Sequence, residues 1–319
     1  MPTTFEHVAR QVVASLDSNA TYLLAHQWVT RRYEQLAVRA KLKHLRQIAS
    51  LSTPAAIDTG TVDLTRGTRT VTGDADATAV WGTFLIGRHI RLSVTWYEIV
   101  GFQLVGGFGV LTLADDFNED TIAAGSYRIV QRFVPLAADA AQIGDTFINP
   151  RRRWAVRMKD YQELERRAPS RPHVGGGALV VAEVPFSADG VRRVELYPYS
   201  TVSETYFYVY WRSIGEISLT DYVPAVLPVY GLIEGALIDL MRYKMGQAID
   251  MGKQDAAALW RNEMRTQETK WQDILVEMIS ADQGEDDSTV IMKHIGGEIE
   301  PRDITTAQDH VLAGWDWTA

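Results

Sequence analysis

Gly246, Gly252 and Lys253 are the residue types of a phosphate-binding loop. Such a loop cradles phosphates on glycine amides, sets a lysine on their charge and holds Mg²⁺ through the next Ser or Thr. Here the two glycines are one residue too far apart, and Gln254 stands where the hydroxyl belongs. A second cluster, Asp115, Asp116, Asn118, Glu119 and Asp120, offers oxygens of the kind Ca²⁺ takes. It lacks the central glycine and the terminal glutamate spacing of an EF-hand, and the same residues form solvated turns by bonding their own backbone. The seven histidines are scattered singly, no two at a ligand spacing on one expected element. Asn19-Ala20-Thr21 matches a glycosylation acceptor, which has meaning only behind a secretory signal. Trp96 and Trp211 are residues from which a sugar platform could be built, or else a packed core or interface. No nucleophile-base pair and no metal cluster emerges. The sequence therefore gives no catalytic residue, no metal site and no cofactor, and we expect a protein that is not an enzyme.

The 319 residues allow two or three domains and are 46% hydrophobic, enough for a real core. Cysteine is absent, which excludes disulfides and thiolate metal sites. The first residues, MPTTFEHVARQVVASLD, lack a charged-then-apolar signal layout. The most apolar region, Val223 to Met241, carries Pro224, Pro228, Glu234 and Asp239 and does not read as a membrane span. A soluble intracellular product is expected. The net charge of −8 opposes tight nucleic-acid binding, yet suits a surface past which DNA slides.

The elements that would position any site fall in order. Phe5–Leu16 reads as a short amphipathic helix, and Tyr22–Ile48 as a long one with Ala25, Val29, Tyr33, Leu36 and Ala40 in one stripe. The second helix is basic in its later part, through Arg31, Arg32, Arg39, Lys41, Lys43 and Arg46. That face is either solvated, with cations complementing the helix dipole, or turned to an acidic neighbour or DNA. Ser50–Asp58 reads as a linker. From Gly60 to Ala138 short alternating runs sit between glycines and acidic turns: Ile90, Leu92 and Val94, then Tyr97 and Ile99, then Tyr127 and Ile129. These predict antiparallel strands with one buried face. Leu136–Asn149 reads as a connector and Arg151–Arg167 as a short helix. Ala178–Val184, Arg193–Tyr199 and Tyr206–Arg212 read as strands, the last apolar on both faces. Pro224–Ile249 and Asp255–Ile279 complete the helices. The first of these presents Val229, Ile233, Ala236, Leu237, Leu240 and Met241 to a core, and the second Trp260, Met264, Trp271, Ile274 or Leu275, and Met278. The stretch after Ala281 reads as an extended arm ending in Trp315 and Trp317, which lie two apart and point the same way from an extended backbone.

The expected class is α+β. N-terminal helices (1–58) and C-terminal helices (223–281) form one bundle. An antiparallel β-barrel or sandwich (59–138), a connector helix with a β-rich segment (139–222) and an extended arm (282–319) complete it. Leu237, Leu240, Trp260 and Trp271 are the expected packing residues of the bundle.

Between Gly60 and Ala138 the residues also carry a resemblance. The hairpin GTVDLTRGTRTVTGD, Gly87-Arg88 with its strand, the Tyr-x-Ile and Leu-Thr-Leu strands, the acidic turn, Gly-x-Tyr-x-Ile and the Phe-Val-Pro-Leu exit resemble the β module of tailed-phage neck proteins. These are the adaptor or head-to-tail connector rings beneath the portal. The resemblance implies a structural virion protein at the neck between capsid portal vertex and tail, assembled in the host cytoplasm. It implies a homo-oligomeric ring of twelve copies, bound to the portal and to a tail protein below, with duplex DNA passing through the lumen without specific binding. It also implies that Trp315 and Trp317 dock on a neighbour or the portal, the alternative being an arm folded on its own subunit. Two other readings stand beside it: a carbohydrate-binding or carbohydrate-active β-domain protein, and a tail-tube or baseplate component.

Overall fold

A computed structural model describes residues 3–15, 20–171, 174–175, 177–185, 189–225, 227–281, 290–291, 294 and 302–303. The chain is mixed α+β and divides into two compact units. One comprises Met1–Gln47, Asp139–Ile143 and Tyr210–Glu285, and the other Ile48–Ala138, Gly144–Val209 and Asp286–Ala319.

The first unit is built on helices α1 (Phe5–Ser15), α2 (Tyr22–Ala40), α5 (Val229–Asp250) and α6 (Gln254–Ala281). In it α2 packs on α1, α5 and α6, and α5 packs on α6. Thr21 caps α2, its hydroxyl accepting from the Leu24 amide at 3.3 Å. The stripe Ala25, Val29, Tyr33 and Leu36 is buried. The helix expected to reach Ile48 ends at Ala40, because Lys41 turns left-handed at φ 48° and ψ 49°. Burial of Leu42 and Leu45 and the alternation of the next residues draw the chain into a strand instead. Lys43 therefore lies in a short 3₁₀ turn and Arg46 opens a strand. Pro224, expected in the last pair of helices, precedes α5, whose N-cap is Pro228. On α5 the buried positions are Gly231, Leu232, Gly235, Ala236, Ile238, Asp239, Leu240, Met241 and Ala248, while Leu237 and Ile233 are half-buried. A helix wedged between α2 and α6 needs a wide apolar sector rather than one stripe.

The second unit holds two curled sheets. Its strands, in chain order, are β1 (Arg46–Thr53), β2 (Val62–Leu64), β3 (Thr70–Gly73), β4 (His89–Leu92), β5 (Thr95–Val105), β6 (Phe108–Leu113), β7 (Ile122–Gly125), β8 (Tyr127–Val130) and β9 (Phe133–Pro135). There follow β10 (Ala140–Asn149), β11 (Trp154–Lys159), β12 (Val174–Gly175), β13 (Val180–Val184), β14 (Arg193–Tyr197), β15 (Tyr199–Ser200), β16 (Glu204–Arg212) and β17 (Arg302–Asp303). The ends of β1, β10 and β16 extend into segments of the first unit. The helices α3 (Ala75–Val80) and α4 (Tyr161–Arg167) are short.

The smaller sheet runs β7-β2-β3-β6-β5-β4-β8, with all six neighbouring pairs antiparallel. Its terminal strands β7 and β8 are separated in the chain by Ser126 alone, so the sheet curls back on itself. Inside lie Val62, Leu64, Val71, Leu85, Ile90, Leu92, Ile99, Leu111, Leu113, Phe117 and Ile129. The Trp81 indole N–H donates to the Tyr127 hydroxyl at 2.9 Å, and that hydroxyl donates to the Thr59 carbonyl at 2.6 Å. Burial pushes the Tyr127 phenol up to about 12, which keeps it a neutral donor. No helix lies between Arg88 and Phe133, as the alternation predicts.

The larger sheet has the order β1-β16-β10-β11-β13-β14-β9, with β17 beside β11. Three sequence expectations fail here. Ser50–Thr53 is strand, not linker, and Leu136–Asn149 contains the strand β10, whose Phe147 and Ile148 are buried. Trp154–Lys159 is strand, and the helix expected over Arg151–Arg167 begins only at Tyr161, capped by Asp160. Alanine and arginine favour helix intrinsically, but a register against β10 from Thr146↔Arg157 to Asn149↔Trp154 overrides that preference.

Candidate functional site

The basic residues do not share one face. Arg31 and Arg39 are exposed on α2, and Lys41 and Lys43 are exposed beyond its end. Arg32 is 8% exposed and points into the first unit. Its Nε and Nη2 reach Asp239 Oδ2 at 2.9 and 2.7 Å, and its Nη1 donates to Gln35 Oε1 at 3.0 Å. Asp239 takes a second cation on Oδ1, from Arg242 Nη1 at 3.1 Å. Arg32 is therefore a packing residue of α2 and α5, and the expectation of a lumen or interface role for it is corrected. A helical repeat marks where a charge falls, but not that a carboxylate far along the chain has been buried opposite it. Trp271, also expected in packing, is buried against Gly235, where an added Cβ would meet its ring at 3.0 Å. Trp260 is half-exposed beneath the Lys244 ammonium, 5.9 Å from the ring centre.

Two further buried carboxylates organise the second unit. Glu195 on β14 is fully buried. It accepts from Arg171 Nε at 3.2 Å, Arg132 Nε at 3.0 Å and the Tyr199 hydroxyl at 2.6 Å. Arg171, itself fully buried, also donates to the Leu164 and Ala168 carbonyls, which ties the end of α4 to the sheet. Burial, and then the Glu195 charge, push the Tyr199 phenol well above its usual range. On the neighbouring edge His89 packs edge-on against Phe133, ring centres 5.0 Å apart, and its Nδ1 has no hydrogen-bond partner. Burial, with Arg132 adding repulsion, pulls this imidazole down to about 4.

Glu204 on β16 accepts from Asn149 Nδ2 at 2.9 Å, from the Tyr206 hydroxyl at 2.7 Å and from Arg152 Nε. Gly177, at φ 139°, lets the chain pass this carboxylate, since a Cβ there would sit 2.9 Å from Glu204 Oε2. Both carboxylates are saturated with donors, an arrangement that fixes strands rather than activating a reacting group. Sequence reading missed all of these groups, because single Glu and Arg residues in strands carry no spacing signal.

The Asp115–Asp120 turn is occupied by local pairing, Asp116 with Arg69 at 2.6 Å and Asp120 with Arg66 at 3.9 Å. Among the described residues, no group of three or more His, Cys, Asp or Glu is placed to hold a metal ion. Trp96 donates to the Ser170 carbonyl at 2.9 Å and stands edge-on to Tyr199 in the second unit. Trp211 is buried in the first unit, its indole donating to the Lys41 carbonyl at 2.6 Å with the Lys41 ammonium 4.9 Å above the ring. Each ring is committed to packing in its own unit.

Trp315 and Trp317 lie outside the described residues. Of the expected arm, Ile291 is fully buried, His294 lies 6.1 Å from the Phe207 ring, and β17 pairs parallel with β11 through Trp154↔Arg302 and Ala155↔Asp303. The described parts of the arm therefore engage their own chain, as in the alternative of an arm folded on its own subunit.

Two exposed apolar surfaces stand out among the described residues. The β5–β6 hairpin turns at Gly106-Gly107, both at positive φ, and carries Leu104, Val105 and Phe108 at 64, 53 and 49% exposure. In the first unit, a groove of about 180 Å³ lies at the C-terminal end of α2. Ala37, Val38, Ala141, Trp211 and Ile214 give it apolar walls, and Glu34 and Arg212 stand on its rim. Among the described residues no helix is long and apolar enough to cross a membrane. No family model and no curated protein matches the chain.

Proposed function

We propose that the chain is a structural subunit of a tailed-phage neck ring, the adaptor between portal and tail. Twelve copies enclose a lumen for duplex DNA, with the portal on one side and a tail protein on the other. One observation carries the reading. Most of the stretch that resembles the neck-protein β module, β2 to β8, forms one curled sheet, and helices from the two ends of the chain pack on one another within the other unit. A β module inserted between helices far apart in the sequence suits a subunit that must make lateral and axial contacts at once. The buried carboxylates, each held by arginine and, at Glu195 and Glu204, also by tyrosine, support a load-carrying frame. In this reading Arg31, Arg39, Lys41 and Lys43 face an acidic neighbour or the DNA, and the last residues, with Trp315 and Trp317, dock on an adjacent chain.

Native mass measurement and negative-stain microscopy, on the protein alone and mixed with its portal, test this. Rings alone or rings seated on the portal are expected. A protein that stays monomeric in both conditions overturns the proposal.

A further inference from the structure

The two exposed apolar surfaces complement one another. Between Glu98 and Asp115 the chain carries no charged residue, the longest such run in a molecule of net charge −8. Copies of so acidic a chain repel overall, so an uncharged patch is a place where two copies can touch closely at little electrostatic cost. The β5–β6 hairpin is such a place. β4 flanks β5 only along Thr95–Glu98, and β3 flanks β6 only along Val110–Thr112. Gln103–Phe108 therefore projects beyond both neighbours as a two-stranded knob, on the order of 10 Å long at strand rise. Its register, Leu104↔Gly109 and Val105↔Phe108, gathers the apolar side chains around the glycine turn. Gly109 is anchored behind them, its amide donating to the Thr78 hydroxyl at 2.8 Å, so the knob is held at its base.

The groove at the end of α2 is the matching receptor. Its walls are apolar, and Val38 at its mouth is 62% exposed. Its lining holds one acid, Glu34, and one base, Arg212, so the lining itself carries no net charge, and the Lys41 ammonium stands over the Trp211 ring. Gln142 donates to the Val38 carbonyl, which closes one of the open helix-end acceptors and stiffens the wall.

We propose that the hairpin knob of one copy seats in the α2-end groove of a second copy of this chain. Three apolar side chains cover far less than the roughly 800 Å² per partner of a stable pairwise complex. The contact therefore suits an assembly in which each copy gives one knob and receives another. Knob and groove are different surfaces, so the contact is head-to-tail, the kind that closes into rings. The inference rests on the ring reading for that closure.

The chain has no cysteine, so an engineered pair reports this contact alone. In the full-length protein, Val105→Cys with Val38→Cys should give, on mild oxidation, a ladder of covalent oligomers. Each single variant should stop at dimers. Leu104→Asp with Phe108→Asp should keep the wild-type circular dichroism and melting curve, because both side chains are exposed, while self-association in sedimentation weakens about tenfold or more. Rings that form normally with the aspartate variant, or that give no ladder with the cysteine pair, overturn the knob-and-groove contact and leave the ring reading standing. A chain that never self-associates, with or without the portal, overturns both.

Discussion

Asp239→Ala should unfold the first unit far more readily than its small volume change suggests. The carboxylate is buried and holds Arg32 through two guanidinium nitrogens, at 2.9 and 2.7 Å, besides Arg242. Deleting it leaves the Arg32 cation between α2 and α5 with the neutral Gln35 amide in place of a carboxylate. Orphaning one member of a buried pair costs about 3–5 kcal/mol, because the desolvation penalty of the survivor is no longer offset. Replacing both members by apolar residues of similar size, Arg32→Met with Asp239→Leu, removes that penalty and should recover most of the loss. Trp28 on α2, whose ring lies 5.9 Å from that of Tyr243, and Trp271 on α6 give fluorescence reporters within this unit. Urea titration read at their emission should show the single variant falling by at least 2 kcal/mol. The double variant should sit nearer wild type than the single. If Asp239→Ala leaves the midpoint unchanged, or the double variant loses what the two singles lose together, the pair is not the buried link between α2 and α5.

Other outcomes follow from the same structure. His89 is held near 4, below its unfolded value of about 6.5, so the unfolded chain binds the extra proton first and stability falls as pH drops through that window. The loss approaches ~3 kcal/mol below pH 4, and His89→Gln should remove it from pH-dependent melting of the second unit. Gly235→Ala, favourable by helix propensity, should instead destabilise by about 1–3 kcal/mol, since the new methyl meets the Trp271 ring at 3.0 Å and Arg32 Cγ at 3.1 Å. A rise in melting temperature would show that the α5–α6 contact yields easily. Leu240→Ala should cost about 2–5 kcal/mol, and Leu237→Ala clearly less because that side chain is only half-buried; equal losses would place both in the core. Filter binding should show weak association with duplex DNA that disappears as salt approaches physiological strength, given the net charge of −8. Binding that survives there would assign Arg31 and Arg39 a gripping role.

The smaller sheet was legible because its strands alternate and its turns carry glycine or acid: Ile90, Leu92 and Ile129 are buried where period-two reading puts them, while Val94, expected in the same row, lies in the turn after β4 and is exposed. β10 and β11 were not. Ala140, Ala141 and Gly144 blur the alternation, and Arg151–Arg153 with Trp154 mimic the start of a helix. The end of α2 was missed for a related reason. Lys41 and Lys43 are good helix formers, and nothing local announces that Lys41 will turn left-handed beneath Trp211, far along the chain. The buried polar frame was invisible throughout. Arg32 finds Asp239 at a separation of 207 residues, and Arg152 finds Glu204 at 52. Such pairings are decided by the fold rather than by any window of sequence.

The discontinuous make-up of the two units has a consequence for synthesis on the ribosome. The chain passes between them five times, at residues 47, 138, 143, 209 and 285. Hairpins such as β5–β6 close as soon as they emerge. Helix α2 cannot: its apolar stripe and the Arg32 cation wait for α5, and for Asp239, 207 residues later. At about 5–20 residues per second that is a delay on the order of 10–40 s. During it α2 has only α1, through contacts such as Phe5 against Tyr33, to cover its apolar stripe. The amino-terminal helices are thus natural clients for a chaperone, and any chain cut short before α5 leaves the ribosome with a sticky, half-built end.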